Sequence, residues 1–184
     1  MSRDIITADK KPDSSAEKAP VPGPGHTLSM LVSNQPGVLM RICQIFARRG
    51  YNIDSLVVSQ GRNPRFSRLT LGISGDPAGL DQIVKQCDKL IDVIHCTEHT
   101  SSDAVVKELI LVKLRVSPGD RTEALQIIEH FNGKAVDLTD TSMIAMITGN
   151  SDKVDAALRL FSGFDVVETV RTGKVVMARG EQPT

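Results

Sequence analysis

Hydrophobic positions along this chain follow strand and helix periods in a fixed order, and that order occurs twice. Leu28, Met30 and Val32 alternate within Thr27–Ser33, the two-residue repeat of a half-buried strand. Asn34-Gln35-Pro36-Gly37 breaks the repeat. Val38, Leu39, Ile42, Ile45 and Phe46 then recur at helical spacing, and Arg48-Arg49-Gly50 supplies a basic last turn and a glycine stop. Asn52–Gln60 and Phe66–Ser74 predict two strands across the turn Gly61–Arg65. Leu80, Ile83, Val84 and Cys87 mark a second helix, and Ile91–Cys96 a fourth strand.

The second pass starts with a strand at Glu108–Val116. Ala124, Ile127, Ile128 and Phe131 stripe a helix; strands follow at Ala135–Leu138 and Met143–Thr148. Val154, Leu158 and Phe161 stripe the next helix, Phe164–Arg171 forms a strand, and a last strand at Gly173–Ala178 is appended. Local echoes keep the same order: Gln35-Pro36-Gly37 with Ser117-Pro118-Gly119, Gly50-x-x-Ile53-Asp54 with Gly133-x-x-Val136-Asp137, and Ile91-Asp92-Val93 with Phe164-Asp165-Val166. The fold class expected is therefore α+β, two tandem ferredoxin-like βαββαβ units at 26–98 and 108–180, joined by a linker at 99–107. Residues 1–25, ending in Pro20-Val21-Pro22-Gly23-Pro24-Gly25, have the composition of a disordered tail, and 181–184 is read as a short second tail.

Charge narrows the function. The 184 residues carry 22 Lys+Arg and 22 Asp+Glu, so the basic excess expected of a nucleic-acid or anionic-membrane binder is missing. No apolar run is long enough to span a bilayer. Asp4, Asp9, Asp13 and Glu17 argue against a transit peptide, and Cys43, Cys87 and Cys96, without CxxC spacing, read as reduced core thiols of a cytoplasmic protein. Aromatic residues at 3% with no Trp leave nothing to stack RNA bases. A soft-metal carrier would need a Cys pair after the first strand, where Asn34-Gln35-Pro36-Gly37 stands. An acyl-phosphate hydrolase would need its Arg in that loop, whereas Arg41 falls a turn into the helix; that enzyme remains the alternative.

Other clusters are set aside. His95, Cys96, Glu98 and His99 lie at a strand end and lack helical ligand spacing for a metal. Arg62, Arg65 and Arg68 flank a turn, to be read as solvated or as a dock for an acidic partner. Asp137 and Asp140 have no companion base or nucleophile, and no catalytic residue is assigned.

What remains is the strand-to-helix junction. Glycine at a helix start leaves N–H groups open, and the helix dipole favours a carboxylate there. Asn34 and Asn52 offer amide hydrogen bonds, and Val38, Leu39 and Ile53 offer apolar walls, so a small branched amino acid fits. The plain alternative is that Asn34 and Gly37 only turn and cap the chain.

Leu28–Asp54, LSMLVSNQPGVLMRICQIFARRGYNID, resembles the opening of acetohydroxyacid synthase (acetolactate synthase) regulatory subunits, with their Asn-x-x-Gly-x-Leu-x-Arg and Arg-Gly-Tyr-Asn-Ile runs. Ser67–Thr70, Gln82–Val93, Glu108–Lys113 and Thr169–Gly180 are similar to later segments of that family, so the resemblance spans about Thr27 to Gly180. It implies an N-terminal ACT domain and an ACT-like domain behind it. It implies a homodimer paired through the ACT domains, with valine at the seam and leucine or isoleucine binding more weakly. By position the ligand residues would be Asn34, Gly37, Val38 and Leu39 from one copy, with Asn52 and Ile53 from the paired copy. It further implies a non-catalytic chain docked on a separate large catalytic subunit, which it activates and makes sensitive to feedback. Thiamine diphosphate, Mg²⁺ and FAD would belong to that other chain, and this chain would hold no cofactor. Another amino-acid-sensing ACT regulator is a second alternative; a DNA-reading helix-turn-helix has no room outside the two units.

Overall fold

A computed structural model describes residues 25–100, 102–181 and 184. The first unit runs β1 (His26–Ser33), α1 (Val38–Arg48), β2 (Asn52–Gln60), β3 (Phe66–Ser74), α2 (Pro77–Cys87) and β4 (Val93–His99). The second runs β5 (Ala104–Arg115), α3 (Asp120–His130), β6 (Lys134–Leu138), β7 (Ser142–Gly149), α4 (Ser151–Phe161), β8 (Asp165–Arg171) and β9 (Val175–Ala178). The two sheets have matching orders, β2-β3-β1-β4 and β6-β7-β5-β8. The duplication read from the echoes is thus a duplication of topology. The expected disordered tail at 1–25 lies outside the described residues except for Gly25.

Each unit buries one sheet face under its two helices. Leu28, Met30 and Val32 of β1 meet Ile42 and Phe46 of α1 and Ile83 of α2 in the first core. Ile110, Val112 and Leu114 meet Ala124, Ile128, Val154 and Phe161 in the second. The Tyr51 side chain explains two glycines: it donates to the Asp76 carbonyl at 2.5 Å, and a Cβ on Gly75 or Gly79 would sit 2.3 Å from its ring atoms or hydroxyl.

Two boundaries are corrected. The linker expected at 99–107 is shorter, because β4 continues to His99 and β5 already begins at Ala104. The extra turn of strand exists because Ala104–Lys107 pairs with Val175–Ala178 of β9, a partner distant in sequence. Thr184, read as part of a tail at 181–184, has defined partners. Arg68 donates to the Thr184 carbonyl, and the Ala178 N–H donates to the Thr184 hydroxyl at 2.8 Å.

The β5–β9 ribbon joins the units. Ala104, Val106, Glu108, Ile110, Val112 and Leu114 share one face of β5. Ile110 to Leu114 face the helices, whereas Ala104 and Val176 are buried on the ribbon, with Glu108 at the handover. The ribbon's end reaches the first sheet: a Cβ on Gly173 would lie 2.6 Å from the Ser55 Cβ. On the first sheet's outer face Thr27, Ser29 and Thr70 are at most 5% exposed although polar.

Candidate ligand seam

Gly37 precedes α1 at φ 85°, a left-handed conformation that glycine adopts without the Cβ clash. Among the four helices of the described residues, the start of α1 is the one with least to quench it. Asp76 caps α2 through the Ala78 N–H, Asn150 caps α4 through the Lys153 N–H, and Ser117 accepts from Asp120 at α3. No side chain caps α1, and its first turn holds no acidic residue. The Val38 N–H reaches the Gln35 carbonyl only at 3.5 Å, and the Leu39 and Met40 N–H groups precede the first helical partner. The result is a bare, partly positive helix end.

Asn34 stands beside it and turns toward the β2–β3 hairpin. Its amide donates to the Pro64 carbonyl at 3.0 Å and its backbone N–H to the Arg65 carbonyl at 2.8 Å. Leu39 is 39% exposed and Met40 67%. Val38 departs from the expected role: its side chain is 3% exposed and belongs to the core, so only its backbone faces the junction. Its position one residue after the glycine turns it inward beneath β1.

Asn52 and Ile53 lie elsewhere. Ser33 pairs with Phe66 and Asn52 with Ser74, so along β3 the two halves stand eight residues apart, roughly 27 Å at ~3.4 Å per residue. One chain therefore does not bring Asn34 and Gly37 to Asn52 and Ile53. Asn52 donates to Asp54 Oδ1 at 2.6 Å, an oxygen that also accepts from Ser74, across a bulge in β2 between Ile53 and Ser55. Ile53 is half-buried against the first core.

β2 is an edge strand whose outer residues are largely exposed, Val58 among them at 49%. An open edge beside exposed apolar residues invites pairing with another strand. A two-fold axis beside β2 reverses the partner's strand direction. In such a pairing the partner's Asn52 and Ile53 would stand at the end where Gly37 lies.

Several residues that sequence reading set aside or missed have defined partners. Arg41 holds Asp92 through its Nε at 2.9 Å and its Nη2, fixing α1 to the entry of β4 and leaving that cation engaged. His99 bonds Ser29 at 2.7 Å, and burial holds its pKa below the usual imidazole value, so it is neutral at pH 7. Glu98 bonds His26 instead of joining His99. Glu108, which no pattern marked, is 2% exposed and is held by Arg171 and Ser151. Burial alone would raise its pKa; the hydrogen bonds and charge of Arg171 with the Ser151 hydroxyl outweigh that and hold it below the usual value.

Comparison with known proteins gives a consistent result. Residues 28–95 match the model of the acetohydroxyacid synthase small subunit-like ACT domain, and residues 107–180 that of the small subunit of acetolactate synthase. A probable acetolactate synthase small subunit from Archaeoglobus fulgidus is 40% identical over 85% of this chain and 98% of its own length. The acetolactate synthase small subunit of Mycobacterium leprae is 38% identical over 85% and 93%. The crystal structure of the acetolactate synthase small subunit from Thermotoga maritima superposes with a TM-score of 0.78 at 38% identity, covering 86% of this chain and 99% of that one.

Proposed function

This chain belongs to the family of acetolactate synthase small subunits, and from that premise we propose that it is a valine-sensing regulator of a separate catalytic chain. In this reading the chain carries no catalytic residue. It docks on a large cytoplasmic subunit, raises that subunit's activity and makes it inhibitable by valine. Thiamine diphosphate, Mg²⁺ and FAD are assigned to the large subunit.

The observation that carries the proposal is the separation of the two half-sites at opposite ends of one sheet, beside an open β2 edge. The α1 end offers N–H groups for a carboxylate, and Asn34 retains its side-chain oxygen for an ammonium group. A second copy supplies Asn52 and Ile53. A ligand that bridges two copies favours the arrangement in which both half-sites meet, and so can bias how the copies sit together. Couplings of this kind run at about 1–3 kcal/mol. Leucine and isoleucine differ from valine by one methylene, worth about 1–3 kcal/mol in a pocket, so they bind more weakly.

Co-purification from the source cells tests the proposal. A thiamine-dependent large chain that travels with this one, and that gains both activity and valine sensitivity from it, is the expected result. A chain that stays monomeric and ignores branched-chain amino acids overturns it.

A further inference from the structure

A half-open cavity of about 410 Å³ lies at the junction of the two units, away from α1. Its walls come from both units: Asp54 and Ser55 from β2, Glu108 from β5, Ser151 from the start of α4, and Arg171 and Lys174 from the β8–β9 connection. Ligand sites commonly measure ~300–1,000 Å³ and favour domain junctions.

The space is made by small residues and lined by opposed charges. Gly72 and Gly173 let Ser55 pack against both units: a Cβ there would meet Ser55 at 2.5 and 2.6 Å. Glu108 is buried and fully engaged by Arg171 and Ser151, so the floor is a fixed polar frame. Arg171 uses Nε on Glu108 and Nη1 on Asp155, which leaves Nη2. Lys174 has no ion pair among the described residues. These cationic groups favour a carboxylate. Across the cavity Asp54 commits one oxygen to Asn52 and Ser74 and keeps the other, an acceptor for an ammonium group. The lining carries two carboxylates and two cations, so it is neutral overall and offers both donors and an acceptor to a zwitterion. Ser55 and Ser151 add hydroxyl groups to the wall.

We propose that this junction cavity is a second effector site, complete within one chain, for a free α-amino acid with a hydroxyl or amide side chain. It differs from the seam in needing no second copy. An occupant would tie the second unit to β2 next to Asn52, so its binding would alter valine affinity at the seam.

Calorimetry on the full chain, with valine saturating, tests this with serine, threonine, asparagine and glutamine as probes and inorganic phosphate as a control. At least one of the four is expected to bind. Lys174→Met and Asp54→Asn should each weaken it tenfold or more without changing the melting temperature, and Gly37→Asp should leave it intact. The proposal fails if none of the four binds. It fails if Gly37→Asp abolishes the heat, which would place the ligand at the seam. It fails too if phosphate binds as well as the amino acids and ignores Asp54→Asn, which would make the cavity an anion site only. Because the probes are polar and the seam is blocked, failure here is distinguishable from failure of valine sensing.

Discussion

Replacing Gly37 by Asp tests the seam most directly. The new carboxylate would lie within the first turn of α1, where no side chain now competes for the Leu39 and Met40 N–H groups. Left-handed backbone costs an ordinary residue roughly 1–2 kcal/mol, and Asp tolerates it better than most. An anion at a helix start returns about 0.3–1 kcal/mol. The contact a Cβ would make, 3.3 Å from Arg41 Nη1, is with the end of a flexible side chain. Net stability should therefore fall by about 1 kcal/mol, or ~2–4 °C in melting temperature. Valine loses far more. Hydrogen bonds to a charged group are worth about 1.5–3 kcal/mol each. Losing two such bonds costs at least ~100-fold in affinity at ~1.4 kcal/mol per decade, before any repulsion between carboxylates. Gly37→Ala separates charge from strain: it carries the full backbone cost with no carboxylate, so it should melt lower than Gly37→Asp yet bind valine better. Calorimetry with thermal unfolding reads both. Normal valine affinity in Gly37→Asp refutes the seam, and equal loss of binding in the two variants refutes the electrostatic account of it.

Asn34→Ala and Asn52→Ala should each weaken valine binding by about 1–3 kcal/mol through lost hydrogen bonds to charged groups, and feedback curves of the reconstituted enzyme would report unchanged inhibition if those roles are wrong. Arg171→Met should leave Glu108 buried with only Ser151 as partner. Breaking a buried pair costs ~3–5 kcal/mol; the low end applies because Arg171 is 37% exposed and water can enter. In the native chain the depressed Glu108 pKa contributes stability that is present above its unfolded value, 4.5, and lost as pH falls through the folded pKa. Without Arg171, burial raises the pKa instead, so stability should decline as pH rises from 4.5 toward neutrality. Between pH 5 and pH 7, where the native Glu108 contribution is level, the variant's melting temperature should fall relative to the native chain's, and an unchanged difference would remove Arg171 from its assigned role.

Much of this fold was legible along the chain because its cause is local. Alternation in Leu28–Val32, the helical stripe from Val38 to Phe46 and the paired turn signals follow from side-chain periodicity, and their repetition fixes two like units. The junction at Gly37 was equally legible, since a left-handed turn without a capping side chain has a composition signature. The Val38 side chain, read as a pocket wall, packs in the core, because a residue at a helix start faces either way until the sheet beneath it is placed. The 99–107 linker was overlong because the strand character of Ala104–Lys107 depends on β9, about 70 residues later.

The sequence alone determined the elements, their duplication and the polar junction, all properties of neighbours in the chain. Only the tertiary structure decided which polar surfaces are interior. Ser29, Thr70 and Glu108 are polar yet buried; His99 bonds Ser29, and Arg171 with Ser151 holds Glu108. It also decided that Asn34 and Asn52, 18 positions apart, lie at opposite ends of one sheet. Burial and distance depend on how remote segments pack, and a periodic pattern records only which side of a strand each residue takes.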